Sequence, residues 1–244
     1  MKNYSDELLE QRRNILKSQG LRTYFSNIYE MVAEEIGQSE KILEVGSGAG
    51  ISNIFLKQSV FRTDFFAFPE VGVMGGYVME SLPFNAETFD IVLAIDCIHH
   101  SKSPINSIDE LLRVVRKSGK VILVEPYVSY LSYLPYKLLH HESTTWYYKP
   151  KIKFDASQEY TDFASGDQGV SKFLLRKFKK ELVTNFSVVK IKYLSPISFF
   201  ATGGTTRFIP TPAGLIRFLI KLESVIPQII MKRISSRVLI SIQK

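Results

Sequence analysis

A glycine-rich turn directly after a short apolar run constrains the fold more than any other segment. Residues 41–45 (KILEV) are mostly apolar and stop at a glycine, a pattern typical of a buried parallel strand. Gly46, Gly48 and Gly50 follow. Glycine lets the backbone turn tightly and come close to a ligand, because no side chain stands in the way. The sequence therefore predicts a strand, a turn and a helix, with a ligand at the turn.

Strands and helices alternate beyond this turn. Apolar runs predict strands at 60–64, 71–74, 89–95, 120–125, 186–194 and 237–243, and amphipathic patterns predict helices at 6–18, 24–36, 51–58, 107–116 and 170–182. Alternation of this kind is typical of right-handed βαβ units. We predict an α/β fold with a doubly wound, Rossmann-like sheet of seven mostly parallel strands. The last strand is expected to be antiparallel, and helices are expected on both faces.

The length of 244 residues fits one domain with insertions. We expect N-terminal helices within 5–36 and the core of the domain within 40–126. Two irregular stretches, at about 127–168 and 195–236, are expected to shape the site, since loops at the carboxyl ends of parallel strands build it. Pro227 is expected to divide the second stretch into two short helices.

Composition and patterning argue against several classes of protein. No run approaches the roughly 18 apolar residues of a membrane span, and the polar N-terminus lacks the apolar core of a signal peptide. Cys97 is the only cysteine, so no internal disulfide is expected. We expect a cytoplasmic protein. We interpret the net charge of +7 first as a solvated basic face, and a polyanionic partner is the second interpretation.

The spacing of the turn indicates which ligand it takes. It reads GxGxG, whereas a turn that binds a pyrophosphate reads GxGxxG. Glu44 lies two residues before the first glycine, and its carboxylate could hold the cationic amino-acid end of S-adenosylmethionine. Asp64 ends the next predicted strand and could accept both hydroxyls of a ribose. The alternatives are a strand-end charge for Glu44 and a helix cap for Asp64.

The chain resembles the class I methyltransferases and, within them, the type 11 group. The resemblance is carried by ILEVGSGAG (42–50), TD (63–64), ESLPFNAETFDIVLAIDCIHH (80–100) and ELLRVVRKSGKVILVEP (110–126). A subgroup with a tyrosine-rich stretch and an HHE element is similar to YLSYLPYKLLHHES (130–143). The resemblance implies an enzyme with S-adenosyl-L-methionine as its cofactor.

The resemblance also implies which residues bind this cofactor. They are Glu44, Gly46, Ser47, Gly48, Asp64, Val78, Met79, Asp96 and Cys97. Val78 and Met79 stand where the family has an Asp-Ala pair that reads the adenine. The carboxylate of that pair is therefore missing, and the backbone amide of Met79 is the adenine contact that this sequence retains.

Methyl transfer requires alignment of the reacting atoms and, for a hydroxyl or amine acceptor, removal of a proton. His99 and His100 are the first candidates for a base or a substrate contact, and His141 with Glu142 is the second choice. The alternative for each histidine is a structural role or a helix cap. No metal is predicted, because residues 125–126 (Glu-Pro) stand where metal-dependent catechol-type relatives have an Asp-Asn pair.

The predicted reaction is methyl transfer to an oxygen, with nitrogen as the second choice, of a small-molecule, glycan or lipid-linked acceptor. The sequence has no NPPY-like motif and no Pro-Cys pair, so a nucleic-acid acceptor is not expected. RNA methylation is the lesser alternative. The main alternative is a binding module that keeps the fold without catalysis. A nicotinamide-dependent oxidoreductase is excluded by the glycine spacing.

An apolar segment at 215–234 also carries basic residues, namely Arg217, Lys221, Lys232 and Arg233. We interpret it first as a substrate lid or a homodimer contact. The second interpretation is peripheral contact with an anionic membrane.

Overall fold

The structure is a computed structural model that describes residues 4–139, 142–150, 166–181, 187–205 and 208–244. Its strands are β1 Ile42–Val45, β2 Val60–Thr63, β3 Val73–Met74, β4 Phe89–Ile95, β5 Val115–Pro126, β6 Ser187–Leu194 and β7 Arg237–Gln243. Its helices are α1 Tyr4–Lys17, α2 Gln19–Ile36, α3 Ser52–Phe55, α4 Pro104–Val114, α5 Tyr133–Leu139, α6 Val170–Glu181, α7 Ser198–Ala201, α8 Ala213–Ser224 and α9 Gln228–Ile234.

The seven strands form one sheet in the order β3-β2-β1-β4-β5-β7-β6. The pairs from β3 to β5 are parallel, and β7 is antiparallel to both β5 and β6. This confirms the predicted doubly wound sheet with an antiparallel last strand. The order reverses between β1 and β4, and in open α/β sheets ligands bind at such a switch point, outside the carboxyl ends of the strands.

Each face of the sheet has its own hydrophobic core. One core joins the strands to α4 and α6, with Leu111 and Leu174 fully enclosed. The other joins them to α2 and α8, with Tyr24 and Ile216 fully enclosed. Burial on both faces explains why β1 and β4 read as continuous apolar runs without alternation. Among the described helices, none combines the length and the apolarity that crossing a bilayer requires.

Several elements differ from the predicted pattern, among them α2, which begins five residues earlier than predicted, and the short α7, which was not predicted. Helix α3 is a single turn, because the chain must return to start β2 at Val60. Strand β5 begins five residues earlier than predicted. The residues expected to form a turn before it belong to the strand, which accommodates them by a register shift against β4 and by a left-handed Ser118 (φ 61°). Helix α5 was not predicted. Of its large apolar side chains Tyr136 is buried, whereas Leu134 and Leu138 are exposed, so the sequence of this helix does not show the apolar periodicity of an amphipathic helix.

The central strands should dominate stability. We expect Leu93→Ala, at a fully buried site in β4, to lower the free energy of unfolding by about 2–5 kcal/mol, since it leaves a cavity in the core. Leu222→Ala on α8, where the side chain is 48% exposed, is the matched control and should change it by less than about 0.5 kcal/mol. Urea unfolding followed by circular dichroism measures both. Equal losses would contradict the assignment of the core.

Candidate functional site

The site is a cavity at the carboxyl ends of β1, β2, β4 and β5, the edge where the order of the strands reverses. The glycine turn after β1 forms one side, and α1 passes over it with Leu8 and Ile15 on the cavity wall. The other side consists of the segment after β4 together with Glu142 and Gln168. The cavity therefore connects the glycine turn to the histidines that the sequence singles out.

Backbone geometry fixes the glycine turn. Gly46 (φ 60°) and Gly48 (φ 47°) are left-handed, a conformation that side chains oppose. A Cβ atom on Gly46 would lie 2.4 Å from the Cβ atom of Cys97, so β1 and β4 end in a contact that only glycine permits. From α1, Arg12 Nη1 donates to the carbonyl oxygens of residues 49–50 at 3.0 and 2.9 Å. The turn is thus held from two sides and lines the cavity.

Glu44 lies beneath this turn and is only 3% exposed. Its Oε2 accepts hydrogen bonds from Ser47 Oγ at 3.1 Å and from Ser52 Oγ, and Arg62 Nε lies 3.8 Å away. Burial raises the pKa of Glu44, against the lowering effect of Ser52 and Arg62. The carboxylate lines the cavity but is already engaged by partners that order the turn.

Asp64 follows β2 and is 7% exposed. Its Oδ2 accepts the N–H of Gly48 at 2.8 Å and its Oδ1 accepts the N–H of Phe66 at 3.1 Å. Burial raises the pKa of Asp64, and the Gly48 and Phe66 amides oppose that shift. The Phe65 amide also donates to this carboxylate, so about one of its four lone-pair sites is left for a hydroxyl group in the cavity.

Val78 and Met79 line the same cavity, between Asp64 and the segment after β4. The Met79 methyl group lies 3.7 Å from the position that a Cβ atom on Gly46 would take. Glu80, which the sequence analysis missed, is buried beside them and accepts from Ser101 Oγ at 2.7 Å. A single acid in the mixed stretch 75–81 (GGYVMES) gives no sequence signal of burial.

Asp96 follows β4 in the left-handed conformation (φ 54°) and forms an ion pair with Nη1 of Arg237. The Arg237 side chain is 7% exposed, and its Cζ atom lies 4.4 Å from the centre of the Phe199 ring. Burial alone would lower the pKa of Arg237, but the charge of Asp96 raises it above its usual value. The Arg237 Nε atom is buried without a hydrogen-bond partner among the described residues.

Arg237 was also missed by the sequence analysis. It is the first residue of β7, and an antiparallel strand begins at the edge where its parallel neighbours end. The predicted antiparallel direction of β7 could have indicated that its first residue, Arg237, lies at the site.

His99 lies in a short 3-10 turn after β4, buried at 6% exposure. Its Nδ1 is 2.6 Å from Oε2 of Glu125, a fully buried residue near the end of β5. The backbone N–H groups of Cys97 and Ile98 donate to Oε1 of Glu125 at 3.0 and 2.8 Å. Burial by itself lowers the pKa of His99, but the carboxylates of Glu125 and Glu142 outweigh it and raise this pKa to about 10.

Glu142 approaches both histidines from the loop after α5. Its Oε2 lies 3.5 Å from His99 Nε2 and its Oε1 lies 3.3 Å from His100 Nε2. Gln168 Nε2 donates to Glu142 Oε2. The structure thus brings three of the four predicted catalytic side chains together, while His141 lies outside the described residues.

Cys97 separates this cluster from the glycine turn. Its thiol donates to the Val45 carbonyl oxygen at 3.4 Å. Burial raises the pKa of the thiol well above its usual value, and the nearby carboxylate of Glu125 adds to that shift. A protonated thiol packed on Gly46 is a structural group and not a nucleophile.

Comparison with known proteins agrees with this geometry. Residues 69–123 match a family model described as a methyltransferase domain. No curated protein matches the chain. Among solved structures, a putative methyltransferase from Haloferax volcanii in complex with the Trm112 methyltransferase activator is 10% identical with a TM-score of 0.56, over 100% of this chain and 98% of that chain.

Two further solved structures are similar. A putative methyltransferase from Bacillus halodurans is 17% identical, covering 90% of this chain and 98% of that chain at a TM-score of 0.46. A possible histamine N-methyltransferase from Thermotoga maritima is 16% identical, covering 91% of this chain and 97% of that chain at a TM-score of 0.49. The Haloferax structure establishes the likeness in fold, and the family match confirms the resemblance to type 11 methyltransferases over the matched segment.

The glycine turn should not tolerate a side chain. We expect Gly46→Ala to lower the free energy of unfolding by at least about 2 kcal/mol, because it combines a left-handed backbone with a clash against Cys97. Gly214→Ala is the control, since its Cβ would meet nothing within 4 Å and α8 should gain up to about 1 kcal/mol. Urea unfolding gives both values. A Gly46 variant as stable as the wild type would disprove the close contact.

Proposed function

We propose that this chain, which has the class I methyltransferase fold and matches the type 11 family over residues 69–123, is an S-adenosylmethionine-dependent methyltransferase. One observation carries the proposal. A single cavity holds the glycine turn and Asp64 at one end and the cluster of His99, His100 and Glu142 at the other. The first end suits a nucleoside and the second suits an acceptor that must lose a proton.

The residues at the first end fit the cofactor. Left-handed glycines leave the bottom of the cavity free of side chains, and Asp64 retains acceptor capacity for a ribose hydroxyl. Glu44 contributes negative charge beneath a cationic ligand while its hydrogen bonds to Ser47 and Ser52 keep the turn in shape. Met79 lines the wall, and its backbone amide is the contact that we propose for the adenine. S-adenosylmethionine supplies a methyl group already activated on a sulfonium.

The protein's remaining task is to orient the acceptor and to accept its proton. Orientation in an enclosed cavity contributes roughly 7–11 kcal/mol to such a reaction, and a placed base adds about 10²–10⁴ in rate. The acceptor end has the polar groups for this, with Glu142 beside both histidines and Asp96 paired to Arg237. We propose that the acceptor is an oxygen of a small-molecule, glycan or lipid-linked compound.

Asp64 gives the sharpest test of cofactor binding. We expect calorimetry to measure micromolar binding of S-adenosylmethionine or its demethylated product, and Asp64→Ala to weaken it at least tenfold, because the ribose hydroxyls lose their acceptor. Asp64→Asn, which keeps the shape, should weaken it by a smaller factor. Asp109→Ala, at an exposed residue on α4, is the control and should leave affinity unchanged. An Asp64→Ala variant with wild-type affinity would refute the ribose assignment.

Cofactor binding and catalysis must be separated, because a binding module would also pass that test. Incubation of the protein and labelled S-adenosylmethionine with sets of glycan, lipid-linked and small hydroxylated acceptors measures methyl transfer directly. Transfer to any acceptor supports an enzyme. Tight cofactor binding without transfer to any of them supports the alternative of a non-catalytic module.

A second surface bears on the acceptor. Helices α8 and α9 expose an apolar face bordered by positive charges, here called the basic apolar face. It comprises Leu215, Arg217, Phe218, Lys221, Leu222, Val225, Ile229, Ile230, Lys232 and Arg233. Val225 and Ile229 are 75% and 74% exposed, which is unusual for large apolar side chains on a folded domain. No described residue of 215–234 lines the cavity, so we do not propose the lid interpretation.

We propose that the basic apolar face binds an anionic membrane surface. Apolar residues flanked by lysine and arginine are the arrangement that interfacial helices use, with the apolar side chains inserted among the lipids and the cations at the headgroups. The same arrangement would bring a lipid-linked acceptor to the enzyme. A homodimer through this face is the other outcome to be tested.

Sedimentation with vesicles measures this contact. We expect binding to vesicles rich in phosphatidylglycerol, weaker binding to phosphatidylcholine vesicles, and loss of binding at high salt. Phe218→Ser and Ile229→Ser should each lower partitioning about tenfold, because each removes the burial of one large apolar side chain. Met74→Ser, an exposed apolar residue on β3, is the control. Equal binding to both lipids would contradict the proposal, and concentration-dependent dimers without vesicle binding would support the homodimer.

A further inference from the structure

We infer that His99, His100 and Glu142 bind a divalent transition-metal ion, of which Zn²⁺ is the prototype, at the acceptor end of the cavity. The three side chains come from two separate segments, the turn after β4 and the loop after α5. Their donor atoms all lie within 4.8 Å of one another. This inference revises the expectation from the sequence that no metal is bound.

The distances approach those of a coordination sphere, with one oxygen of Glu142 facing each imidazole. Zinc binds imidazole nitrogen and carboxylate oxygen at about 2.0–2.2 Å, which in tetrahedral geometry places neighbouring ligand atoms about 3.3–3.5 Å apart. Glu142 Oε2 is 3.5 Å from His99 Nε2, and Glu142 Oε1 is 3.3 Å from His100 Nε2. Two imidazoles and one carboxylate are also a ligand set used in catalytic zinc sites, where the fourth position stays open.

The surroundings of His99 are those of a metal ligand. Its Nδ1 is bound to the buried carboxylate of Glu125, and this contact leaves Nε2 directed at Glu142. Metal-binding histidines nearly always donate their other ring N–H to a carboxylate or carbonyl in this way. Glu125 is itself fixed by the amides of Cys97 and Ile98, so the orientation of the imidazole is determined by two layers of hydrogen bonds.

Gln168 supplies an independent observation. It is 1% exposed, its Nε2 donates to Glu142, and its Oε1 is buried without a hydrogen-bond partner among the described residues. A buried acceptor without a donor is costly, and an orphaned oxygen beside a cavity indicates that a donor belongs there. A water molecule held on the ion would be such a donor.

The charges of the cluster are compatible with an ion as well. Glu125 and Glu142 place two carboxylates beside two imidazoles in a largely buried space. With neutral histidines, a divalent cation cancels both negative charges, and burial of uncompensated carboxylates is strongly unfavourable. The competing arrangement places a proton on His99 between the two carboxylates and needs no metal.

The inference rests on the proposed function only for its consequence. If the acceptor is a hydroxyl compound, a cation at this end of the cavity would lower the pKa of the coordinated hydroxyl, so that water can accept its proton. Metal binding itself can be measured without any acceptor and without the cofactor.

The first experiment uses the full chain without a histidine tag. The protein is dialysed against a chelator, and Zn²⁺ and Co²⁺ are added by equilibrium dialysis with metal analysis. We expect one equivalent of either ion per chain at micromolar concentration or below, and a Co²⁺ absorption spectrum of four-coordinate type with nitrogen and oxygen ligands. Mg²⁺, which prefers oxygen ligands in octahedral geometry, should not compete. Failure to bind Zn²⁺ and Co²⁺ would overturn the inference in favour of the protonated cluster.

Variants locate the site. Glu142→Gln and His100→Ala should each weaken Zn²⁺ binding at least tenfold, because each removes one ligand. Glu34→Gln, an exposed carboxylate on α2, is the charge-matched control and should bind like the wild type. Unchanged affinity in both ligand variants would place the ion elsewhere and contradict the inference.

Calorimetry with the demethylated cofactor on the same samples separates the two proposals. Cofactor binding without metal binding would contradict only the proposed metal site. Metal binding without cofactor binding would contradict only the proposed function.

Discussion

The site depends on the contact between Gly46 and Cys97, where β1 and β4 end side by side. A side chain at Gly46 would occupy the space of the Cys97 side chain, so the two strand ends can meet only because the first is glycine. This contact sets where the turn after β4 begins. It thereby aims the Cys97 and Ile98 amides at Glu125, and their hydrogen bonds in turn fix the carboxylate that holds His99. The two ends of the cavity, for which we propose the cofactor and the acceptor, are thus linked through two neighbouring strands.

Glu125 has a structural role that its position in the sequence does not indicate. It is fully buried, and its two oxygens accept two backbone amides and one imidazole. Removal of this carboxylate would leave three donors without a partner, each of which costs free energy when buried. The residue therefore explains how His99, whose orientation the sequence does not determine, acquires a fixed one.

The fold could be predicted almost completely from the sequence, whereas the site could be predicted only in part. Strand β7 and the division of the last helices at Pro227 agree with prediction, because apolar runs and proline act locally. The proximity of Glu142 to His99 and His100 depends on how an irregular loop folds back, and no local pattern encodes that. Arg237 and Gln168 were missed for the same reason, since each becomes a site residue only through contacts distant in sequence.

Because β7 is antiparallel, the chain passes directly from the basic apolar face to the cavity, the two regions on which the acceptor proposal rests. Helix α9, which forms part of the basic apolar face, ends at Ile234. After two buried serines the chain reaches the site at Arg237. A residue that lines the cavity therefore follows directly on a surface suited to lipid. Of the three acceptor classes, a lipid-linked compound makes use of both features. A free small-molecule acceptor would use the cavity alone. It would leave the apolar side chains of α8 and α9 exposed to water, which is unfavourable.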